Sequence, residues 1–186
     1  MSASSTQIQS PLREALKRTA VALKSLDVPF ALCGGYALWA HGGPEPDHDV
    51  DFMVSANDAA RVVDGLRRVG LDVKQPPEDW LIKVNTDGVI VDVLHRAGGN
   101  CVTDELVAGA DIFEVLSVEM PVLSATDTLS TKLNSLSEHF CDFSGLLTAT
   151  RAVREQVDWQ RLRKETCDND FAAAFLFLTD RLGISH

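Results

Sequence analysis

Leu32-Cys33-Gly34-Gly35, then residues 36–48, then Asp49-Val50-Asp51-Phe52 is the stretch on which the reading of this chain turns. Pro29-Phe30-Ala31-Leu32-Cys33 is a short apolar run that reads as a buried strand ended by the glycine pair. Tyr36 to Ala40 reads as a short helix, stopped at His41-Gly42-Gly43-Pro44. In Asp49-Val50-Asp51-Phe52 the strand period of two sends both aspartates to one face and Val50 and Phe52 to the other. A third aspartate, Asp92, interrupts the apolar run Val89-Ile90-Val91-Asp92-Val93-Leu94. An ionised carboxylate is costly on the buried side of a strand unless a charge opposes it. Three acids converging on one point repel each other, and a pair of divalent cations is the common remedy. A glycine turn that runs straight into a helix can aim backbone amides at phosphate oxygens. Together these features predict a Mg-dependent site for a nucleoside triphosphate.

Each feature alone has a plainer explanation. Glycine pairs after strands are mostly turns, Asp49 and Asp51 could form a surface ion-pair face, and Asp92 could be a solvated acid at a strand edge. Their occurrence together, in this order, is the specific signal.

Outward from this core, Ser10-Pro11 opens a helical pattern with Leu12, Leu16, Val21 and Leu23 roughly on one face. Gly42-Gly43-Pro44-Glu45-Pro46 reads as a mobile loop beside the acids, and Ala59 to Val69 as a helix ended by Gly70. Trp80 to Val84 and Val89 to Leu94 flank Thr86-Asp87-Gly88, a hairpin signal that delivers Asp92 on a strand able to lie beside the acid pair. Ile112 to Leu123 holds one or two short strands around Pro121. From Ser124 the pattern is helical. Ser124-Ala125-Thr126-Asp127 forms a capping start, and further helices follow over about 140–156, 158–166 and 169–182. The expected architecture is α+β, a mixed β-sheet flanked by helices with a C-terminal helical bundle. It divides into a flexible N-terminus over 1–10, a core over 11–123 and a helical region over 124–186.

Composition narrows the class. The chain has 186 residues, 45% apolar, and a formal net charge of −10 from 17 Lys and Arg against 27 Asp and Glu. That balance opposes nucleic-acid binding by a general positive field, so an RNA substrate would need a local grip. The apolar run Phe171 to Leu178 is too short to span a bilayer, and the N-terminus lacks the layout of a secretory signal. Cys33, Cys101, Cys141 and Cys167 form no CxxC, which predicts neither a zinc site nor a disulfide framework and points to a reducing cytoplasm.

The glycine turn, the Asp49/Asp51 pair and the later Asp92 resemble the nucleotidyltransferase (polymerase-beta-like) superfamily. Leu129-Ser130-Thr131-Lys132-Leu133 followed by Asp142 is similar to the Lys-then-Asp segment of AbiEii/MenT-type toxins from toxin–antitoxin systems. The resemblance spans about residues 28–145. It implies that Asp49, Asp51 and Asp92 hold two Mg2+ ions, that Gly34 and Gly35 form the phosphate turn, and that Lys132 reaches the triphosphate. Asp142 would assist at the nucleotide. The implied activity is transfer of a nucleoside monophosphate from an NTP to an acceptor hydroxyl with release of pyrophosphate. The implied acceptor is a tRNA 3′ end, with an antitoxin protein as partner. One departure stands out: members usually carry Arg and then Thr or Ser before the acid pair, where this chain has Glu45 and Asp47. Small-molecule (aminoglycoside-like) nucleotidylation, and a catalytically silent nucleotide- or partner-binding module, are the alternatives.

Other residues near the signal read as structural. His41, His48 and His95 are expected to serve the fold, His48 alternating away from the face of Asp49 and therefore no ligand. Trp39 and Trp80 are expected in the core, with base stacking as the functional alternative. Arg151, Arg154, Arg161, Arg163 and Lys164 form the densest basic region, by default a solvated helix face and otherwise a grip for an RNA acceptor stem.

Overall fold

The computed structural model describes residues 10–185, so apart from Ser10 the expected flexible N-terminus lies outside the described residues. A seven-stranded mixed sheet runs in the order β3-β4-β5-β2-β1-β9-β8. Its strands are β1 (Phe30–Cys33), β2 (Val50–Val54), β3 (Asp72–Lys74), β4 (Leu81–Thr86), β5 (Val89–Leu94), β8 (Asp111–Val115) and β9 (Val118–Val122). Strands β2 and β5 pair in parallel, as do β1 and β9, while the remaining neighbours are antiparallel. A small separate ribbon joins β6 (Arg96–Ala97) to β7 (Asn100–Cys101).

Helix α1 (Pro11–Lys24) starts with its proline in the first turn, where the missing N–H costs nothing. It packs with α3 (Ala59–Arg68) over one sheet face, and Leu16, Leu23, Phe30, Phe52, Ile82 and Val91 share that core. The buried face of α1 is set by Ala15, Leu16, Thr19, Ala20 and Leu23, whereas Val21, expected inside, is 55% exposed. The small residues let the helix approach the sheet closely. The hairpin turn forms as its Asp-Gly pair predicts, with φ of 53° at Asp87 and 89° at Gly88. The other sheet face carries a second cluster in which Cys33, Met53 and Leu123 meet Val107 of α4 (Asp104–Ala108).

Past Ser124 the chain is helical. Its elements are α5 (Ala125–Asn134), α6 (Phe143–Val153), a 3₁₀ turn (Arg154–Gln156), α7 (Trp159–Glu165) and α8 (Asp170–Arg181). Ser124, Asp142, Asp158 and Asn169 each accept a backbone N–H at the start of the following helix, which explains four sharp helix entries from local sequence. Leu129, Leu133, Trp159, Leu162 and Phe175 form the bundle's own apolar cluster. Leu38 of α2 (Gly34–Ala40) joins that cluster and ties it to the sheet. Among the described residues no helix is long and apolar enough to cross a membrane.

Candidate active site

Register brings the acids together. Asp51 on β2 pairs with Cys33 on β1 and, in parallel, with Asp92 on β5. Residues in register on adjacent strands share a face and lie about 5 Å apart, so Asp51 and Asp92 are side by side. Asp49 immediately precedes β2 and has a largely exposed side chain. Asp51 is the sheltered member, and its pKa is pushed up to about 6. Burial is the main cause; the Asp49 and Asp92 charges push the same way, while Lys132 and His48 oppose them. Lys132 reaches the site because α5 packs against α2, which hangs directly from β1.

The glycine turn is shaped around Asp51. Gly34 has φ of 65°, and a Cβ there would overlap the Asp51 carboxylate. Only glycine satisfies both the left-handed backbone and the close approach. Gly35 follows in the first turn of α2 under the loop, where a Cβ would stand 2.8 Å from Pro46 Cβ. Among the described residues, Cys33 ahead of α2 makes no side-chain cap to its first amides.

Glu45 does not face the acids as an unpaired charge. Arg13 Nε donates to its Oε1 at 2.7 Å and Nη2 to its Oε2 at 2.5 Å. Arg13 in turn lies 5.5 Å from the Trp39 ring centroid, and Tyr36 Oη contacts Glu45 at 3.4 Å. Burial, then the Glu45 charge, lifts the Tyr36 hydroxyl to about 12. The loop bearing Glu45 is thus anchored to α1 by an ion pair on an aromatic base.

Several expectations change here. His48 does not turn away from the acids: Nε2 lies 3.5 Å from Asp49 Oδ2, and Nδ1 meets Asp47. Strand alternation fails because β2 begins only at Val50 and His48 sits in the preceding bend. Trp80 is 43% exposed beside the hairpin, not a core residue, while Trp39 packs edge-on against Tyr36 at 5.6 Å. His41 is structural as expected, bridging Leu123 O at 2.8 Å and Gln156 Oε1 at 3.0 Å. Burial lowers the pKa of His95. The Asp142 carboxylate caps α6 through the Ser144 N–H at 2.9 Å and hydroxyl at 2.8 Å, which holds its pKa down. The basic region is largely spent on neighbours: Arg154 pairs with Glu155, Arg161 with Asp127 and Glu165, and Arg163 with Asp180.

One residue of the site escaped the sequence reading. Lys83 on β4 lies in register with Asp92, and its Nζ donates to Asp92 Oδ1 at 3.2 Å and Oδ2 at 3.5 Å. The hairpin signal made this pairing findable, since a turn at Asp87-Gly88 sets Lys83 opposite Asp92.

Among the described residues, no three His, Cys, Asp or Glu side chains are drawn close enough to hold a metal ion as they stand. The donor set nevertheless fits a hard divalent cation, because carboxylate oxygens are its preferred ligands. The raised pKa of Asp51 comes chiefly from its burial, and the Asp49 and Asp92 charges add to it against Lys132.

No family model matches the chain, and no curated protein matches it. Solved structures do. The antibiotic-resistance factor ANT(2″)-Ia, solved in complex with adenylyl-2″-tobramycin, aligns with a TM-score of 0.59 at 13% identity, covering 89% of this chain and 97% of that one. The lincosamide antibiotic adenylyltransferase LnuA, lincomycin-bound, aligns with a TM-score of 0.51 at 14% identity over 73% of this chain and 92% of its own. An antigenic nucleotidyltransferase-like protein from Paracoccidioides brasiliensis gives 0.51 at 15% identity over 75% of each chain. This chain has the nucleotidyltransferase fold: a mixed sheet flanked by helices, followed by C-terminal helices.

Proposed function

We propose that the protein is a Mg2+-dependent nucleotidyltransferase that moves a nucleoside monophosphate from an NTP to an acceptor hydroxyl and releases pyrophosphate. The observation that carries this reading is the alignment of Asp51 and Asp92 on adjacent strands, with Gly34 folded against Asp51 and Lys132 acting on it. In this reading Asp49, Asp51 and Asp92 hold the cations. When bound, the cations neutralise the phosphate oxygens and the charge that builds up in transfer. The turn at Gly34 and Gly35 and the first amides of α2 receive the triphosphate, and Lys132 adds a point charge from α5. The acceptor oxygen forms a bond to the α-phosphorus as the bond from that phosphorus to the oxygen bridging to the β-phosphate breaks, and the hydroxyl proton passes to the Asp92 carboxylate. These residues contribute positioning and charge rather than covalent chemistry.

For the acceptor, a specific observation favours a small hydroxylated, cationic compound over RNA. The arginines available to grip an acceptor stem are mostly ion-paired within the helical region, and the chain carries a net charge of −10. The structural likeness to ANT(2″)-Ia along most of both chains supports the same choice. The tRNA acceptor, with an antitoxin partner, rests on the sequence resemblance alone. Labelled NTPs with Mg2+ and separate aminoglycoside, lincosamide and tRNA pools test both. Label should enter a small-molecule product and depend on Asp51. Label in tRNA alone overturns the acceptor choice. Label in no pool, with no pyrophosphate released, overturns the enzyme reading.

A further inference from the structure

The register sets one residue from each of five strands in a single row across the sheet: Cys33, Asp51, Asp92, Lys83 and Lys74. The opposite face is filled by the α1 and α3 core, so this row lies on the face that bears the site. The row changes sign in the middle. Two like charges in register destabilise a sheet, and an ammonium opposite Asp92 removes that penalty. Lys83 supplies it, reaching both oxygens of a carboxylate that is 27% exposed from a side chain 41% exposed. Lysine suits a temporary role, since it is a point charge on a flexible stem without the fixed fork of arginine.

We propose that Lys83 is the resident counter-cation of the acid row, and that loading a divalent cation exchanges this ammonium off Asp92. The inference rests on the metal-binding reading above. The acids are not gathered into a ligand cluster as they stand, and the contact that engages Asp92 from the β4 side is the one with Lys83. Binding of the divalent cation therefore competes with an internal cation, which lowers metal affinity while protecting the metal-free sheet from its own charge.

Isothermal titration with Mn2+, without nucleotide, tests this on the full chain. Lys83→Met should bind Mn2+ roughly threefold tighter or more, the range expected for loss of a partly exposed ion pair. Lys83→Gln should do the same, which covers the chance that Met disturbs folding, and circular dichroism checks both variants. Lys83→Arg, which keeps the charge, should not gain affinity. Lys74→Met, one strand further along the row, should change it little at physiological salt, where charges this far apart are screened. Equal or weaker Mn2+ binding in both Lys83→Met and Lys83→Gln overturns the exchange and makes Lys83 an orienting or passive residue. An equal gain in Lys74→Met also overturns it, by attributing the effect to the general field. Absence of Mn2+ binding in every protein, wild type included, overturns the metal reading itself.

Discussion

Asp51 and Asp92 stand next to each other in one row of the sheet and meet opposite environments. Asp51 sits under Gly34, sheltered from water, with its charge opposed by Lys132 from another helix and raised in cost by both neighbouring acids. Asp92 is the open end, partly exposed and held by Lys83 from the adjacent strand. The same residue type, about one strand apart, is destabilised at one end and neutralised at the other. Burial, more than sequence neighbours, sets which carboxylate stores the electrostatic strain that a cation would relieve.

The sharpest way to break this comparison is to remove the more sheltered acid, Asp51. Asp51→Asn should lower turnover by roughly 10³-fold with the fold intact, since a cation ligand is lost while the shape is kept. Pyrophosphate release under saturating NTP and Mg2+ measures it. Near wild-type turnover would end the metal assignment. Gly34→Ala comes next, because it forces a side chain into the left-handed region and into the Asp51 carboxylate. It should cost about 3 kcal/mol in urea unfolding, combining backbone strain with overpacking.

The pH dependence follows from the buried end. The folded-state pKa of Asp51, about 6, lies above its ordinary value of 3.8, so the folded protein holds this proton more tightly than the unfolded chain. The associated stability is fully present below the ordinary value and is lost as pH rises through about 6, amounting to at most about 3 kcal/mol. In metal-free protein the Tm contribution should therefore fall between pH 4 and 7, and Asp51→Asn should flatten that slope. A slope unchanged in the variant assigns the titration to other groups.

Smaller effects separate the two ends further. Lys132→Ala should weaken NTP binding about tenfold, or roughly 1.4 kcal/mol, whereas Asp92→Asn should lose turnover with NTP affinity largely kept. Calorimetric titration of both decides it, and unchanged affinity in Lys132→Ala would remove that residue from the phosphate site. Arg13→Ala should have the least effect on Tm. Its signature should be faster hydrogen exchange confined to residues 42–48, because the exposed Arg13–Glu45 pair anchors that loop rather than the core.

Much of this was readable along the chain, for local reasons. The strand period carried Asp51 to the face opposite Phe52, Asp87-Gly88 made the hairpin, and Ser124 marked the helix that bears Lys132. Elements decided by distant partners were not readable. The short strand β3 has three residues and too little period to announce itself, and α4 is only five residues long. Val21 looked like a core residue by spacing, yet α1 turns Ala15, Leu16, Thr19, Ala20 and Leu23 to the sheet and leaves Val21 outside.

The sequence alone determined that Asp51 and Asp92 would lie on strands and the glycine pair at a strand-to-helix turn, because turn chemistry and side-chain alternation act over a few residues, whereas Asp49, expected on the same strand as Asp51, falls just before it. Only the tertiary structure decided which charges meet. Parallel pairing of β2 with β5 aligned Asp51 with Asp92, β4 brought Lys83 to the open end, and packing of α5 on α2 brought Lys132 to the buried one. Helix α1 neutralised Glu45 from 32 residues away. Electrostatics depends on distance and burial in space, and neither is encoded in the spacing of residues along the chain.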